Sequence, residues 1–126
     1  MVDAPNAPLI LVVDDDGAFR DIVATVLRDA GYTVITAVDG AEALACMERR
    51  SPRLVLLNLV MPVLNGWALL AELEDRFPDA HEPIIVAVED PLSCSPDALP
   101  PRVEAFIPKP VRIPDLLRAI RRLLPR

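Results

Sequence analysis

Three short apolar runs in the chain are each followed directly by side chains that could bind a metal ion or a phosphate. Asp14, Asp15 and Asp16 follow the first run, Asn58 follows another, and Lys109 follows the last. Carboxylate and amide oxygens are hard ligands that suit Mg²⁺. A lysine beside them suits an oxyanion such as a phosphoryl group. Magnesium and phosphate chemistry is therefore expected wherever the fold brings these positions together.

The apolar runs have the composition of strands in a parallel sheet. Residues 9–13 and 54–57 are apolar without polar alternation, as in strands that are covered on both faces, and residues 84–88 and 103–107 are similar. Residues 32–38 alternate more and carry two threonines, which predicts an edge strand. Helical spacing separates these runs: one helix ends at Gly31, the next begins at Asp39, a third begins at Asn65, and the last begins near Pro114. In the third helix the spacing places Trp67, Leu70, Leu73 and Phe77 on one face. In the last helix it predicts these buried residues: Ile113, Leu116, Leu117, Ile120, Leu123 and Leu124.

One connection does not follow this alternation of strand and helix. Pro91, Pro96, Pro100 and Pro101 lie between the fourth and fifth strands, and a proline inside a helix costs about 3 kcal/mol. The helix expected in this connection should be short, displaced or absent. Elsewhere the alternation predicts a doubly wound α/β sheet with right-handed crossovers. In such sheets ligands bind beyond the carboxyl ends of the strands, which is where the polar side chains lie.

Several motifs, in order along the chain, closely resemble the receiver domains of two-component response regulators. They occupy residues 11–16, 31–32, 39–44, 58–66 and 106–110. The resemblance implies a flavodoxin-like (βα)5 fold with a five-stranded parallel sheet in the order 2-1-3-4-5. We expect an N-terminal tail over residues 1–8 and a single receiver-like domain over residues 9–126.

The resemblance also implies a role for each matching residue. Asp14 and Asp15 correspond to the acidic pair that holds Mg²⁺, with the backbone carbonyl of Val60 as a further ligand. Lys109 corresponds to the phosphate-binding lysine, and its bond to Pro110 is expected to be cis. The carboxylate that accepts a phosphoryl group from a histidine kinase in this family, and that also binds the metal, falls at position 58.

Three positions depart from the family pattern. Asn58 replaces the phosphoaccepting carboxylate, Val88 replaces the threonine or serine that reads the phosphate, and Phe106 replaces the common tyrosine. An amide is a far poorer nucleophile than a carboxylate, and valine has no hydroxyl to donate. These changes predict a degenerate receiver, or pseudo-receiver. The alternative is a phosphoaccepting receiver seen as an Asp→Asn variant.

Loss of the carboxylate at position 58 should also weaken metal binding. Asp14, Asp15 and Lys109 together carry a charge of about −1, instead of about −2 with an aspartate at position 58. Mg²⁺ is expected to bind weakly, with the amide of Asn58 as a ligand, or to be replaced by an ion pair of Lys109 with Asp14 or Asp15. Glu89 and Asp90 also follow a strand and could approach the acidic edge of the sheet, but solvated loop carboxylates are the usual case.

The function predicted from these features is phosphorylation-independent binding to a protein, rather than catalysis. The expected partners are a histidine kinase, another regulator or an output protein, and a homodimer is compatible with the family. An alternative from another class is a haloacid-dehalogenase-like phosphatase, because residues 12–17 superficially resemble its Mg²⁺-binding aspartyl motif. Ala18 and Asn58 do not fit the motif of that family.

Composition argues against several other classes of protein. The net charge of −6 and a pI of about 4.7 disfavour nucleic-acid binding through this domain. No apolar run reaches the roughly 18 residues of a membrane span, so a cytoplasmic protein is expected. Cys46 and Cys94 are interpreted as a packed thiol and a loose loop thiol, and His81 as a surface loop residue. The final segment contains five arginines that predict a solvated helix face or, alternatively, a surface for an acidic partner: Arg112, Arg118, Arg121, Arg122 and Arg126.

Overall fold

A computed structural model describes residues 7–61, 63–78 and 82–125, which form one layer of strands between two layers of helices. Five parallel strands occur in this part of the chain: β1 (Leu9–Val13), β2 (Thr33–Ala37), β3 (Leu54–Asn58), β4 (Ile84–Glu89) and β5 (Val103–Pro108). The helices there are α1 (Gly17–Asp29), α2 (Gly40–Arg49), α3 (Gly66–Arg76) and α4 (Ile113–Leu123). The strand order is β2-β1-β3-β4-β5, which confirms the predicted flavodoxin-like α/β fold.

Alternation along the central strands divides the core into two halves. In β3, Leu54 and Leu56 pack on the side of α1 and α4, whereas Val55 and Leu57 pack on the side of α2 and α3. Each of these four side chains is at most 1% exposed. The absence of polar alternation in the sequence is therefore explained, because both faces of the strand are covered.

Local capping groups determine where the helices begin and end. Asp16, Asp39 and Asn65 are the N-caps of α1, α2 and α3, and each side chain accepts a backbone N–H from three residues further on. The predicted starts at Asp39 and Asn65 are confirmed. Gly31 follows the end of α1 with a φ of 99°, a conformation that a glycine adopts without a steric penalty.

The connection between β4 and β5 is irregular, as its prolines predicted. In the described chain this connection contains a single 3₁₀ turn, Pro96–Ala98, in place of an α-helix. Cys94 lies in this connection and is only 7% exposed, so its interpretation as a loose thiol was wrong. The thiol belongs to the core half that packs on α2 and α3, which sequence composition does not reveal. Both cysteines are buried and free, and the packed Cys46 is confirmed.

Two aromatic residues of α3 are more exposed than the sequence pattern predicted. Trp67 is 37% exposed and Phe77 is 45% exposed, whereas Leu70 and Leu73 are buried. Trp67 lies in the first turn and Phe77 is the C-cap, so the two exposed rings lie at opposite ends of the helix. In α4 and its C-cap, Leu116, Ile120 and Leu124 are buried, while Ile113, Leu117 and Leu123 pack at the margin of the core. Among the described helices, none has the length and hydrophobicity required to cross a bilayer.

Candidate functional site

An open cleft of about 620 Å³ lies at the carboxyl edge of the sheet, where the polar residues were predicted to converge. Asp14, Asp15, Asn58, Val60 and Lys109 all line this cleft, as do Asp16, Glu89 and Asp90. The parallel strands bring them together because β1, β3, β4 and β5 all end on this side. The fold therefore places the predicted metal-binding and phosphate-binding residues within one cleft.

Asp14 is the most buried of the predicted acidic pair, with an exposure of 5%, whereas Asp15 is exposed. One carboxylate oxygen of Asp14 accepts the backbone N–H of Asp16 at 2.9 Å. Burial raises the pKa of the Asp14 carboxyl above its ordinary value, while this hydrogen bond and the charge of Lys109 act in the opposite direction. The ionised form of Asp14 is thus held in the cleft at a cost in free energy.

The amide of Asn58 is directed at two of the predicted metal ligands. Its Nδ2 donates to Oδ1 of Asp15 at 3.2 Å and to the backbone carbonyl of Val60 at 3.0 Å. The residue is 3% exposed, and its Oδ1 has no hydrogen-bond partner in the described chain. The opposite amide orientation would place Oδ1 against two other oxygens, so the donor must face Asp15 and Val60.

This arrangement fits a divalent cation poorly. A metal ion at the predicted position would need Asp15, Val60 and Asn58 to present oxygens to it, yet the first two already accept amide hydrogens. To become a ligand, Asn58 would have to turn its amide by half a rotation and lose both hydrogen bonds. In residues 7–61, 63–78 and 82–125, no group of three or more histidine, cysteine, aspartate or glutamate side chains is arranged to hold a metal.

Glu89 lines the cleft, although the sequence interpretation favoured a solvated loop position over an approach to the acidic edge. It is 4% exposed, and its Oε1 lies 3.7 Å from Nζ of Lys109. Its interpretation as a solvated loop carboxylate was therefore wrong, and so was the alternative pairing of Lys109 with Asp14 or Asp15. In the described chain, Glu89 is the carboxylate within ion-pair distance of Lys109. The predicted cis bond between Lys109 and Pro110 is confirmed.

The charge of the cleft is more negative than the sequence estimate of about −1. Its described lining contains five carboxylates and one ammonium group, a formal charge of −4 when all are ionised. Glu89 accounts for part of this difference because it is the last residue of β4 and points into the cleft. In the sequence Glu89 directly follows the apolar residues 84–88, as Asp14 follows residues 9–13, and this position was the signal that it could approach the cleft.

Val88 and Phe106, two of the three positions that depart from the family pattern, lie outside the described lining of this cleft. Val88 is 1% exposed and belongs to the core half beneath α1 and α4. Phe106 is half-buried and packs against the opposite core half. The arginines of the last segment are exposed at positions 112, 118, 121 and 122, as expected for a solvated face. His81, Arg126 and residues 1–6 of the predicted tail lie outside the described residues.

Comparison with known proteins links the fold and the cleft to one family. The family model of the response regulator receiver domain matches residues 10–121 of the sequence. A probable transcriptional regulator ycf27 of Porphyridium aerugineum is 39% identical over 119 residues, which cover 93% of this chain and 48% of that protein. The response regulator MprA of Mycobacterium sp. (strain KMS) is 36% identical over 118 residues, which cover 93% of this chain and 50% of that protein. The chain thus spans about half the length of these curated relatives.

Solved structures show the same similarity. The receiver domain of NtrX from Brucella abortus is 36% identical, with a TM-score of 0.79 over 91% of this chain and 97% of that chain. The chemotaxis response regulator CheY4 of Vibrio cholerae is 27% identical, with a TM-score of 0.81 over 94% of this chain and 100% of that one. Both resemble this chain along nearly their whole length.

Proposed function

The chain belongs to the response regulator receiver domain family of two-component signalling, and we propose that it acts there as a pseudo-receiver. In this role it binds a protein partner without accepting a phosphoryl group. The observation that carries the proposal is the amide at the tip of β3, where Asn58 is buried and hydrogen-bonded to Asp15 and Val60.

The chemistry of Asn58 opposes phosphoryl transfer in two ways. The lone pair of an amide nitrogen is delocalised into the carbonyl, and the neutral oxygen attacks phosphorus far less readily than a carboxylate does. The transfer would also need a divalent cation to offset the charge of the phosphodonor. The hydrogen bonds from Nδ2 compete with such a cation for Asp15 and Val60, so we propose that Mg²⁺ binds weakly at most.

The groups that would respond to a phosphoryl group are altered as well. Val88 carries no hydroxyl, Lys109 is already paired with Glu89, and the β4–β5 connection holds a 3₁₀ turn where a helix is expected. The phosphoacceptor position, the phosphate-binding hydroxyl position and the helix of the β4–β5 connection all differ from the family pattern. A constitutive binding role therefore fits the chain better than a phosphorylation switch.

A protein is the proposed partner: a histidine kinase, another regulator or an output protein, with self-association as a homodimer included. The relatives named as transcriptional regulators are about twice as long as this chain, so an output of that kind belongs to the proposal. The acidic balance of the chain disfavours nucleic acid as a direct ligand of this domain. We place the protein in the cytoplasm, and we assign it no enzymatic activity.

The proposal is tested by incubating the natural chain and the Asn58→Asp variant with acetyl phosphate and Mg²⁺ and measuring intact mass. The natural chain should gain no phosphoryl group, and its affinity for a partner captured with it should be the same with and without the phosphodonor. A stoichiometric phosphoryl adduct on Asn58 of the natural chain would overturn the proposal.

A second candidate is a phosphoaccepting receiver seen as an Asp→Asn variant. It is favoured by the retention of Asp14, Asp15 and Lys109 in one cleft. A labile adduct on Asn58→Asp, together with a change in partner affinity on phosphorylation, would support this candidate. The remote phosphatase alternative would require Mg²⁺-dependent hydrolysis of a simple phosphate ester by the natural chain.

A further inference from the structure

The carboxylate of Glu89 has an unusually complete set of donors for a residue at the end of a strand. Its Oε2 accepts the backbone N–H of Val60 at 2.9 Å, and its Oε1 accepts the backbone N–H of Asp90 at 2.8 Å. Nζ of Lys109 lies 3.7 Å from Oε1. The side chain of Glu89 is only 5% exposed, and its carboxylate is held by groups of the β3–α3 loop, of the loop that follows β4 and of the segment that follows β5.

These donors are of the kind that hold an oxyanion. A lysine ammonium and backbone N–H groups aimed at one point stabilise a phosphoryl group or a carboxylate through charge-assisted hydrogen bonds. Val60 follows Asn58 by two residues, Lys109 is the predicted phosphate-binding lysine, and all three residues line the same cleft. In this chain both are directed at a carboxylate of the protein itself.

We propose that Glu89 is an internal oxyanion that takes the place of the phosphoryl group, so that the cleft is liganded by its own chain. This inference rests on the proposed pseudo-receiver function and adds a second, independent barrier to it. Asn58 prevents the transfer of a phosphoryl group, whereas Glu89 prevents an external oxyanion from binding. Its contacts also tie together three loops at the cleft, and this tie does not depend on any phosphodonor.

Charge supports the same conclusion. A phosphate that entered the cleft would meet five carboxylates, and its attraction to Lys109 would be offset by Glu89, which lies 3.7 Å from the ammonium group. Removal of the Glu89 carboxylate would free the N–H of Val60 and the ammonium of Lys109 at once. It would also remove one of the negative charges that repel the ligand.

The test is a titration of the ¹⁵N-labelled chain with inorganic phosphate, followed by NMR at the backbone amide of Val60. Two variants, Glu89→Ala and the near-isosteric Glu89→Gln, are compared with the natural chain and with Glu104→Ala. The last variant removes an exposed carboxylate on β5 and is the matched control for a change in net charge.

The natural chain and Glu104→Ala should show no saturable shift of the Val60 amide. Glu89→Ala should bind phosphate at this amide, with an affinity at least roughly tenfold above that of the natural chain. Glu89→Gln should show a smaller gain, because it removes the charge beside Lys109 but keeps an amide oxygen that can accept the N–H of Val60. Should Glu89→Ala fail to fold, Glu89→Gln decides, since it retains the packing volume. Equal phosphate binding by the natural chain and a folded Glu89 variant would overturn the inference, as would no gain in either variant.

Failure of this inference is distinguishable from failure of the proposed function. The first is measured as phosphate binding at Val60 without covalent chemistry. The second is measured as a mass gain at Asn58 of the natural chain. If Glu89 variants do not gain phosphate binding while the natural chain still resists acetyl phosphate, the pseudo-receiver proposal stands and the internal oxyanion does not.

Discussion

The amide hydrogens of Asn58 are donated to Asp15 and to the carbonyl of Val60, two of the predicted metal ligands. An amide at this position therefore does more than remove a nucleophile, because it also satisfies two oxygens that would otherwise repel each other. Glu89 does the equivalent for the donors of Val60 and Lys109. At the scale of single residues, Oδ1 of Asn58 is the one buried side-chain nitrogen or oxygen atom of the described cleft lining that lacks a hydrogen-bond partner.

The Asn58→Asp substitution should strengthen Mg²⁺ binding. It replaces two competing donors with a carboxylate, and we expect the affinity to rise by about tenfold or more, equivalent to about 1.4 kcal/mol. Isothermal titration calorimetry measures the change, with fluorescence of Trp67, the single tryptophan, as a second probe. Asn65→Asp is the control, since it makes the same amide-to-carboxylate change at the N-cap of α3, outside the described cleft lining. A similar gain in Asn65→Asp would show that overall charge, and not the site, is responsible.

The buried charge of Asp14 predicts a pH-dependent effect on stability. Its pKa is raised in the folded state, mainly by burial, so the folded state binds more protons than the unfolded state between the two pKa values. The contribution of this group to stability is therefore fully present below the ordinary pKa of 3.8, which applies to the unfolded state. It is lost as the pH rises through the raised pKa of the folded state. Asp14→Asn should stabilise the protein at pH 7, by about 1 kcal/mol, because the amide can still accept the N–H of Asp16.

This prediction is checked by urea denaturation of the natural chain and Asp14→Asn at pH 7 and at pH 4. The gain should be clear at pH 7 and smaller at pH 4, where the Asp14 carboxyl is more protonated. Asp21→Asn, at an exposed position on α1, is the control and should change stability little at either pH. A gain from Asp14→Asn that is the same at both pH values would contradict burial of the charge as the cause.

At the scale of elements, the loop between β3 and α3 is held closely against α2 and the end of β3. The N–H of Gly40 donates to the carbonyl of Leu64 at 2.8 Å, and the N–H of Gly66 donates to the carbonyl of Leu59 at 2.8 Å. A Cβ on Gly66 would lie 2.7 Å from Cα of Leu59, which real side chains do not tolerate. Two close backbone approaches therefore position the loop that carries Val60.

Gly40→Ala should destabilise the protein by about 1–3 kcal/mol, because the added methyl group would collide with the backbone carbonyl of Leu64. The displacement should reach the cleft and change the amide resonance of Val60. Gly17→Ala is the matched control: its Cβ would meet only the guanidinium of Arg20 in the described chain, at an ordinary 3.4 Å, so stability should be unchanged or higher. Chemical denaturation of both variants tests the difference, and equal stability of the two would contradict the proposed close contact.

At the scale of the whole molecule, the last helix is tied to the first half of the chain. The hydroxyl of Tyr32, which is 2% exposed, donates to the carbonyl of Leu124 at 2.6 Å across 92 residues of sequence. The same half of the core contains residues from α1, from the central strands and from α4. The C-terminal helix is thus integral to the layer that covers one face of the sheet.

Tyr32→Phe should reduce the free energy of unfolding by about 1–2 kcal/mol, because the carbonyl of Leu124 loses a buried hydrogen bond while packing is kept. Urea denaturation measures the loss. Compared with the natural chain, the variant should show faster amide hydrogen exchange at the end of α4. Exchange in α2 should be unchanged, because α2 lies on the other face of the sheet and serves as the internal control. Uniformly faster exchange in both helices would argue against a local role for this contact.

The sequence alone determined the succession of strands and helices along the chain, the edge where polar side chains gather, and the presence of an amide at position 58. These features depend on local patterns: apolar runs without alternation, capping side chains, and four prolines between β4 and β5. Strand order came from resemblance to a family, which encodes tertiary information indirectly.

Only the tertiary structure decided the partners within the cleft. The sequence places Glu89 beside Asp90 in a stretch that has the composition of a solvated loop, yet β4 ends so that Glu89 meets Val60 and Lys109, 29 and 20 residues away. The direction of the Asn58 amide likewise depends on acceptors from two different segments. The charge of a side chain follows from the sequence. Its burial and its ion-pair partners depend on the tertiary structure, because they are determined by which strands end next to each other.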